Sequence, residues 1–271
     1  MFNLDHSLNR PYREICQRVK KYLEEQEQYL DRHFIFYREG SLVERHLSSN
    51  STFCKAMVSC GYLTATEMEH AAQRYRLGMT RDGAVIFWQI DLMGNVCDGK
   101  VMYYQADGHR DHHRHPTWYT AELKRCYCYP HQIATVHWLF GTHLLKECPT
   151  YGVTGGRLPK NQERLVRCHV VEAEKTAVIM SQRFPQHVWL ATGGKNELTT
   201  SKLMTLRNHP ISLFPDTDEH GDTYRLWYDI AKKSEPYVGH PIYVSSLLER
   251  QATPSQKRRK IDLVDFLYEV K

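Results

Sequence analysis

Between residues 166 and 244 the chain alternates short apolar, β-prone runs with helix-patterned segments, and that order is satisfied by a parallel sheet with crossover helices. The strand candidates are Val166 to Val171, His187 to Ala191, Ile211 to Pro215 and Tyr237 to Val244. Helix candidates lie between them at Lys175 to Arg183, Thr199 to Arg207 and Thr223 to Ser234, with turns at Gly193-Gly194 and His220-Gly221. A parallel sheet collects the carboxyl ends of its strands on one edge, where open α/β sheets place their ligands. Glu172 follows the first strand, and Asp216 and Asp218 follow the third. Three carboxylates on one edge repel one another, and a hard divalent cation with oxygen ligands relieves the repulsion. Glu172, Asp216 and Asp218 are therefore the candidate catalytic residues and candidate ligands for Mg²⁺ or Mn²⁺. The D-x-D spacing lets both aspartates face the same side of an extended turn. The competing use of the same residues is structural, with Asp216 capping a loop and Asp218 accepting the first N–H groups of the next helix.

Upstream the texture differs. Residues 11–35 place Ile15, Val19, Tyr22, Leu23 and Tyr29 at helical spacing on a charged background, which predicts an amphipathic helix. A turn at Gly40-Ser41 and a polar run from Ser48 to Ser51 follow, and Thr64 reads as the N-cap of a helix through Tyr75. Two β-prone runs, Ala84 to Leu92 and Lys100 to Tyr104, flank the turn Met93-Gly94-Asn95 and predict a hairpin. A polar loop at 108–117, an apolar stretch from Ile133 to Leu145 and a glycine-rich linker from Tyr151 to Gly156 complete this half. The fold class is α/β, in three parts: a helical N-terminal segment (1–50), a smaller α+β subdomain (51–160) and a parallel-sheet domain (161–271).

Composition narrows the function classes. Thirty-six Lys and Arg against thirty-one Asp and Glu give a net charge of +5, which suits a polyanionic partner without demanding one. No run of about 18 apolar residues and no apolar leader is visible, so the expectation is a cytoplasmic protein with no membrane partner. The eight cysteines form no C-x-x-C pair, so neither a zinc ribbon nor a disulfide framework is expected. P-loop, G-x-S-x-G, H-E-x-x-H and G-x-G-x-x-G patterns are missing, which leaves phosphoryl chemistry as the leading class. The histidines of the 109–115 loop fit no standard zinc spacing, and Lys257 to Lys260 reads equally as a solvated face or a nucleic-acid contact.

The segments Val170-Val171-Glu172-Ala173-Glu174-Lys175-Thr176-Ala177, Ala191-Thr192-Gly193-Gly194 and Leu213-Phe214-Pro215-Asp216-Thr217-Asp218 together resemble the Toprim pattern of topoisomerases, primases and certain nucleases. The resemblance implies that Glu172 acts as general acid or base or joins the metal shell, while Asp216 and Asp218 hold Mg²⁺. Ala173 and Lys175 stand where replicative primases usually carry Gly and Asp; this form is closer to phage and mobile-element proteins. Asp262-Leu263-Val264-Asp265-Phe266-Leu267 resembles a terminal motif of such proteins, which implies Asp262 as a further metal ligand; the alternative is a helix with Asp262 at its N-terminus. Tyr75 to Gly78, Gly83 to Trp88, Gly99 to Tyr104 and Phe140 to Leu145 resemble the subdomain that precedes Toprim in primases. The likeness spans roughly residues 50–271. It implies a DNA primase core without its zinc module, taking single-stranded DNA and nucleotides, with a helicase or a separate zinc-module protein as partner. Lys100, Arg110, Lys175, Gly193 and Gly194 would then contact nucleotide or template phosphates. A metal-dependent nuclease and a non-catalytic DNA-binding module are the rival readings.

Overall fold

A computed structural model describes residues 40–121, 137–147 and 166–269, together with Gln17 and Lys21. The amphipathic helix expected at 11–35, the linker at 151–156 and the boundary near 160 lie outside the described residues.

The first described half opens with helix α1 (Gly40–His46) where a turn was expected at Gly40-Ser41. Ser51 then caps α2 (Thr52–Ser59), its hydroxyl accepting the Cys54 N–H. Helix α3 (Ala65–Tyr75) starts, as the sequence predicts, at Thr64, in a reciprocal capping box with Glu67 that satisfies two donors otherwise left open at a helix start. Strands β1 (Gly78–Met79), β2 (Val85–Ile90), β3 (Val96–Met102) and β4 (Thr117–Trp118) follow as an antiparallel sheet in that spatial order. The hairpin is as expected, except that β3 begins at Val96 rather than Lys100. Gly99, inside this strand, is required by packing: a Cβ there would lie 2.7 Å from both Ile86 and the Trp88 ring. Ile86, Trp88 and Val101 fill one face of this sheet, with Val43 of α1. Val85, Phe87 and Met102 fill the other, which joins the core of the second half.

That second half is the parallel sheet. Strands β5 (Cys168–Val171), β6 (Val188–Ala191), β7 (Ile211–Phe214) and β8 (Tyr243–Val244) run parallel in the order β6-β5-β7-β8. Val170 sits in register with Leu190 on one side and Leu213 on the other. Helices α4 (Glu174–Arg183), α5 (Thr200–Met204), α6 (Asp222–Val238), α7 (Leu247–Gln251), α8 (Pro254–Arg259) and α9 (Leu263–Glu269) complete it. The protein is thus mixed α/β, a parallel sheet flanked by helices beside an antiparallel sheet. One expected strand is shorter than the sequence indicated: Tyr237 and Val238 belong to α6, and only Tyr243–Val244 pair with β7. Buried Trp227, Ala231, Ser234 and Val238 keep the three-to-four spacing of a helix face through Pro236, past the expected end at Ser234.

The halves share backbone and core. Tyr75 of α3 donates its hydroxyl to the carbonyl of Trp189 at 2.8 Å. Phe140 pairs with Ala191 through two backbone hydrogen bonds of 2.9 and 3.1 Å, extending the β6 edge. Residues 142–147 then form a 3₁₀ turn. Phe53, Tyr75, Phe87 and Phe140 are buried in one continuous cluster with Val170, Leu190 and Leu213. Each such side chain contributes about 1.5–3 kcal/mol of transfer free energy, so the junction is a core rather than a hinge. Among the described residues no helix is long and apolar enough to cross a membrane.

Candidate functional site

The carboxyl edge of the parallel sheet carries the acidic residues the sequence singled out. Glu172 is the first residue beyond β5, and its carbonyl accepts the N–H of Gly193 at 2.9 Å, tying this edge to the turn after β6. Gly193 has φ +88°, a conformation L side chains rarely adopt, and a Cβ there would meet a Glu174 carboxylate oxygen at 3.2 Å. The Gly193-Gly194 turn is thus required both by its backbone and by its neighbour.

Burial raises the Glu172 carboxyl above the usual carboxylate range; Lys195 and Lys100 pull it back, and Asp262 pushes it up again. Asp216, just past β7, lies well above its ordinary range, first through burial and then through the charges of Asp262 and Glu172, with Lys175 opposing. Asp265 is raised by burial and by Asp262. Glu172, Asp216, Asp262 and Asp265 therefore share one electrostatic neighbourhood of excess negative charge. Asp262 stands immediately before α9, the helix-start position expected of it. One oxygen accepts the Asp265 N–H at 2.8 Å, as a helix cap, and the other accepts the Thr176 hydroxyl at 2.5 Å and lies 3.5 Å from the Lys175 ammonium. Lys175 also reaches Asp265 at 3.4 Å; although burial favours its neutral form, these two aspartates hold its pKa above the ordinary lysine value.

Asp218 stands apart from this group. Its carboxylate accepts the N–H groups of His220, Asp222 and Thr223 (3.2, 2.8 and 2.7 Å), the Thr223 hydroxyl (2.6 Å) and the Lys195 ammonium (3.3 Å). Burial acts to raise its pKa, but the donors from Thr223, Asp222 and Lys195 outweigh it and hold the carboxyl below the usual range. Asp218 caps the start of α6 and fixes the loop that carries Asp216.

Lys100 crosses from β3 to this edge. Its ammonium donates to both oxygens of Glu174 (3.1 and 3.2 Å) and to the Gly193 carbonyl (2.8 Å). Glu174, only 2% exposed, is a member that sequence reasoning missed; its signal was the Glu172-Ala173-Glu174-Lys175 spacing at a strand-to-helix turn. Lys202 was missed as well. It is buried, its ammonium donates to the Glu197 carbonyl at 2.8 Å, and burial lowers its pKa despite the Glu197 charge. Arg110 is exposed beyond β3, where its backbone bridges to Tyr104. Its charge reaches the buried Tyr104 phenol, which burial and then Glu174 push upward.

Oxygen donors with surplus negative charge are the chemistry a hard divalent cation requires, and Glu172, Asp216 and Asp262 supply it. Among the described residues no three His, Cys, Asp or Glu side chains already converge on a single ion position. The donor set is of the chemical kind that Mg²⁺ or Mn²⁺ takes.

A family model described as "Domain of unknown function (DUF6371)" matches residues 51–217, the stretch from the α2 cap to the D-x-D turn. No curated protein matches the chain. Among solved structures, the primase fragment of the bacteriophage T7 primase-helicase protein aligns with a TM-score of 0.39 and 13% identity, over 65% of this chain and 60% of that one.

Proposed function

The chain belongs to the DUF6371 family, and we propose that this protein is a Toprim-type, metal-dependent nucleotidyl transferase that makes short primers on single-stranded DNA. The observation that carries the reading is the half-buried, mutually destabilised carboxylate group at the carboxyl edge of a parallel sheet: Glu172 and Asp216 each lie above the normal range through burial and partly through other carboxylates nearby. Such a group favours a bound cation, which neutralises charge on a transferred phosphoryl group.

In this reading Asp216 and Asp262 hold Mg²⁺ or Mn²⁺, and Glu172 either joins that shell or exchanges a proton with the reacting hydroxyl. Asp218 keeps the Asp216 loop in place through its five hydrogen bonds. A nucleotide phosphate would be met by Lys100, which donates to the Gly193 carbonyl, and by Lys195, the residue that follows the Gly193-Gly194 turn. Arg110 and Lys175 extend the positive charge toward a template strand. The sequence likeness to mobile-element primases names the context, with a helicase or zinc-module protein as the partner in template recognition.

The test incubates the protein with labelled single-stranded DNA and nucleoside triphosphates in Mg²⁺ or Mn²⁺, beside the Glu172→Gln/Asp216→Asn variant, and resolves products on one gel. New short strands that vanish in the variant support priming. Shortened template would replace this reading with a nuclease, and unchanged lanes with DNA retained in EDTA would replace it with a binding module.

A further inference from the structure

Beside the acidic edge, β3 carries a second polar cluster. Asp98 and Lys100 are two residues apart on one strand and so share a face, the one that Lys100 uses to reach Gly193. The Asp98 side chain is fully buried. It accepts the N–H groups of Gly99 and Thr120 (2.7 and 3.2 Å), the Thr120 hydroxyl (2.7 Å) and Nε2–H of His137 (3.3 Å). Among the described residues His137 is its ion-pair partner, and no lysine or arginine takes that place.

The imidazole is fixed twice over. Asp98 takes one nitrogen, and the ring stacks on Trp118 with centroids 3.6 Å apart and planes within 12°. Trp118 is the strand neighbour of Lys100. His137 nevertheless remains 26% exposed, so a ring held by a buried carboxylate keeps part of its surface open. Three residues later Phe140 pairs with Ala191. Three residues of chain span at most about 10 Å, which keeps His137 within that distance of Phe140 on the β6 edge. Gln89 faces Asp98 across the strand pair and is 1% exposed, and its Oε1 has no partner among the described residues. It is an acceptor that a bridging water or a ligand hydroxyl would complete.

We propose that Asp98 and His137 form a binding site for the triphosphate of a nucleotide, with His137 Nδ1–H as donor to a phosphate oxygen and Lys100 as its neighbour. Asp98 balances the charge of the imidazolium that such a contact requires, as a buried carboxylate does for any oriented histidine. The identity of the ligand as a nucleotide rests on the proposed function; the phosphate chemistry rests on the cluster itself. Sequence alone did not mark the pair, because the two residues lie 39 positions apart.

The experiment uses the full chain in EDTA, so that no divalent cation contributes, with ¹⁵N-labelled histidine and sodium tripolyphosphate as the probe. Tripolyphosphate is expected to shift the His137 Nδ1 resonance saturably and adenosine to leave it unmoved. His137→Phe, which retains a ring to stack on Trp118, is expected to bind tripolyphosphate about 10-fold more weakly by calorimetry, the loss of one charge-assisted hydrogen bond. An unmoved resonance at saturation, or wild-type affinity in His137→Phe, overturns the proposal. A protein that binds tripolyphosphate through His137 yet makes no primers overturns only the priming reading; primers formed while His137 stays silent overturn only this one.

Discussion

Lys100→Met is the perturbation with the sharpest consequence, because it removes a cation from a carboxylate that has no route to water. Glu174 is 2% exposed and Lys100 13%, and three hydrogen bonds of 2.8 to 3.2 Å converge on the ammonium. Taking one partner out of a buried ion pair leaves an uncompensated charge, at a cost of about 3–5 kcal/mol. For a chain of this size that corresponds to a fall in Tm of roughly 10 °C. The second half of the prediction is coupling. Once Glu174→Gln has removed the charge, Lys100→Met has little left to disrupt, so the double variant should fall short of the summed singles by about 2 kcal/mol. The control is Lys195→Met. Its ammonium is 39% exposed and Asp218 keeps four other donors, so the expected loss is below about 1 kcal/mol. Urea denaturation at neutral pH measures the wild type and the four variants. Lys100→Met within about 0.5 kcal/mol of wild type, or strict additivity in the double variant, would refute the reasoning.

Three further outcomes follow from the same geometry. His169 is buried among His187, Trp189 and Phe214, and burial, then the charges of His187 and Arg167, push its pKa down to about 3. The unfolded chain takes up this proton near pH 6.5, so stability is whole above that value and falls as pH drops toward 3, by about 2 kcal/mol at pH 5; a His169→Phe variant should lose that slope in denaturation curves taken at several pH values. Asp218→Ala strips the cap from α6 and leaves the Asp222 and Thr223 N–H groups short of an acceptor, with an expected loss of about 2 kcal/mol in urea denaturation. Gly193→Ala forces a side chain onto a φ of +88° and against Glu174, which should destabilise the fold by about 1–2 kcal/mol; a variant as stable as wild type would mean that the turn adopts another conformation.

The parallel half was legible because β5, β6 and β7 are short apolar runs soon followed by glycine or an acid, and because the crossovers carry helical spacing. What escaped was decided by contacts distant in sequence. The second hairpin strand was expected from Lys100, yet it starts at Val96, where the Trp88 ring packs over Gly99 and Thr120 and His137 meet the Asp98 carboxylate. The helix from Thr223 was expected to end at Ser234, yet the buried face of α6 continues through Pro236 to Val238. At the site, Glu172, Asp216 and Asp262 were visible from their positions after strands and before a helix, and the structure gathers them into one electrostatic group. Asp218 shows the limit of motif spacing: the same D-x-D that suggests a metal ligand also suits a helix cap, and the hydrogen bonds of Asp218 are those of a cap. Glu174 was hidden because a glutamate on the first turn of a helix ordinarily faces water, and here Lys100 from the other sheet buries it.

The functional account depends on Glu172 and Asp216 binding a divalent cation, and Mn²⁺ titration followed by electron paramagnetic resonance reads that directly. The six-line signal of free Mn²⁺ should fall as wild-type protein is added, and the Glu172→Gln/Asp216→Asn variant should bind at least about 10-fold more weakly, as expected when two of three oxygen ligands lose their charge. Undiminished free signal with the wild-type protein, or equal binding by the variant, would contradict the assignment of this edge as a metal site.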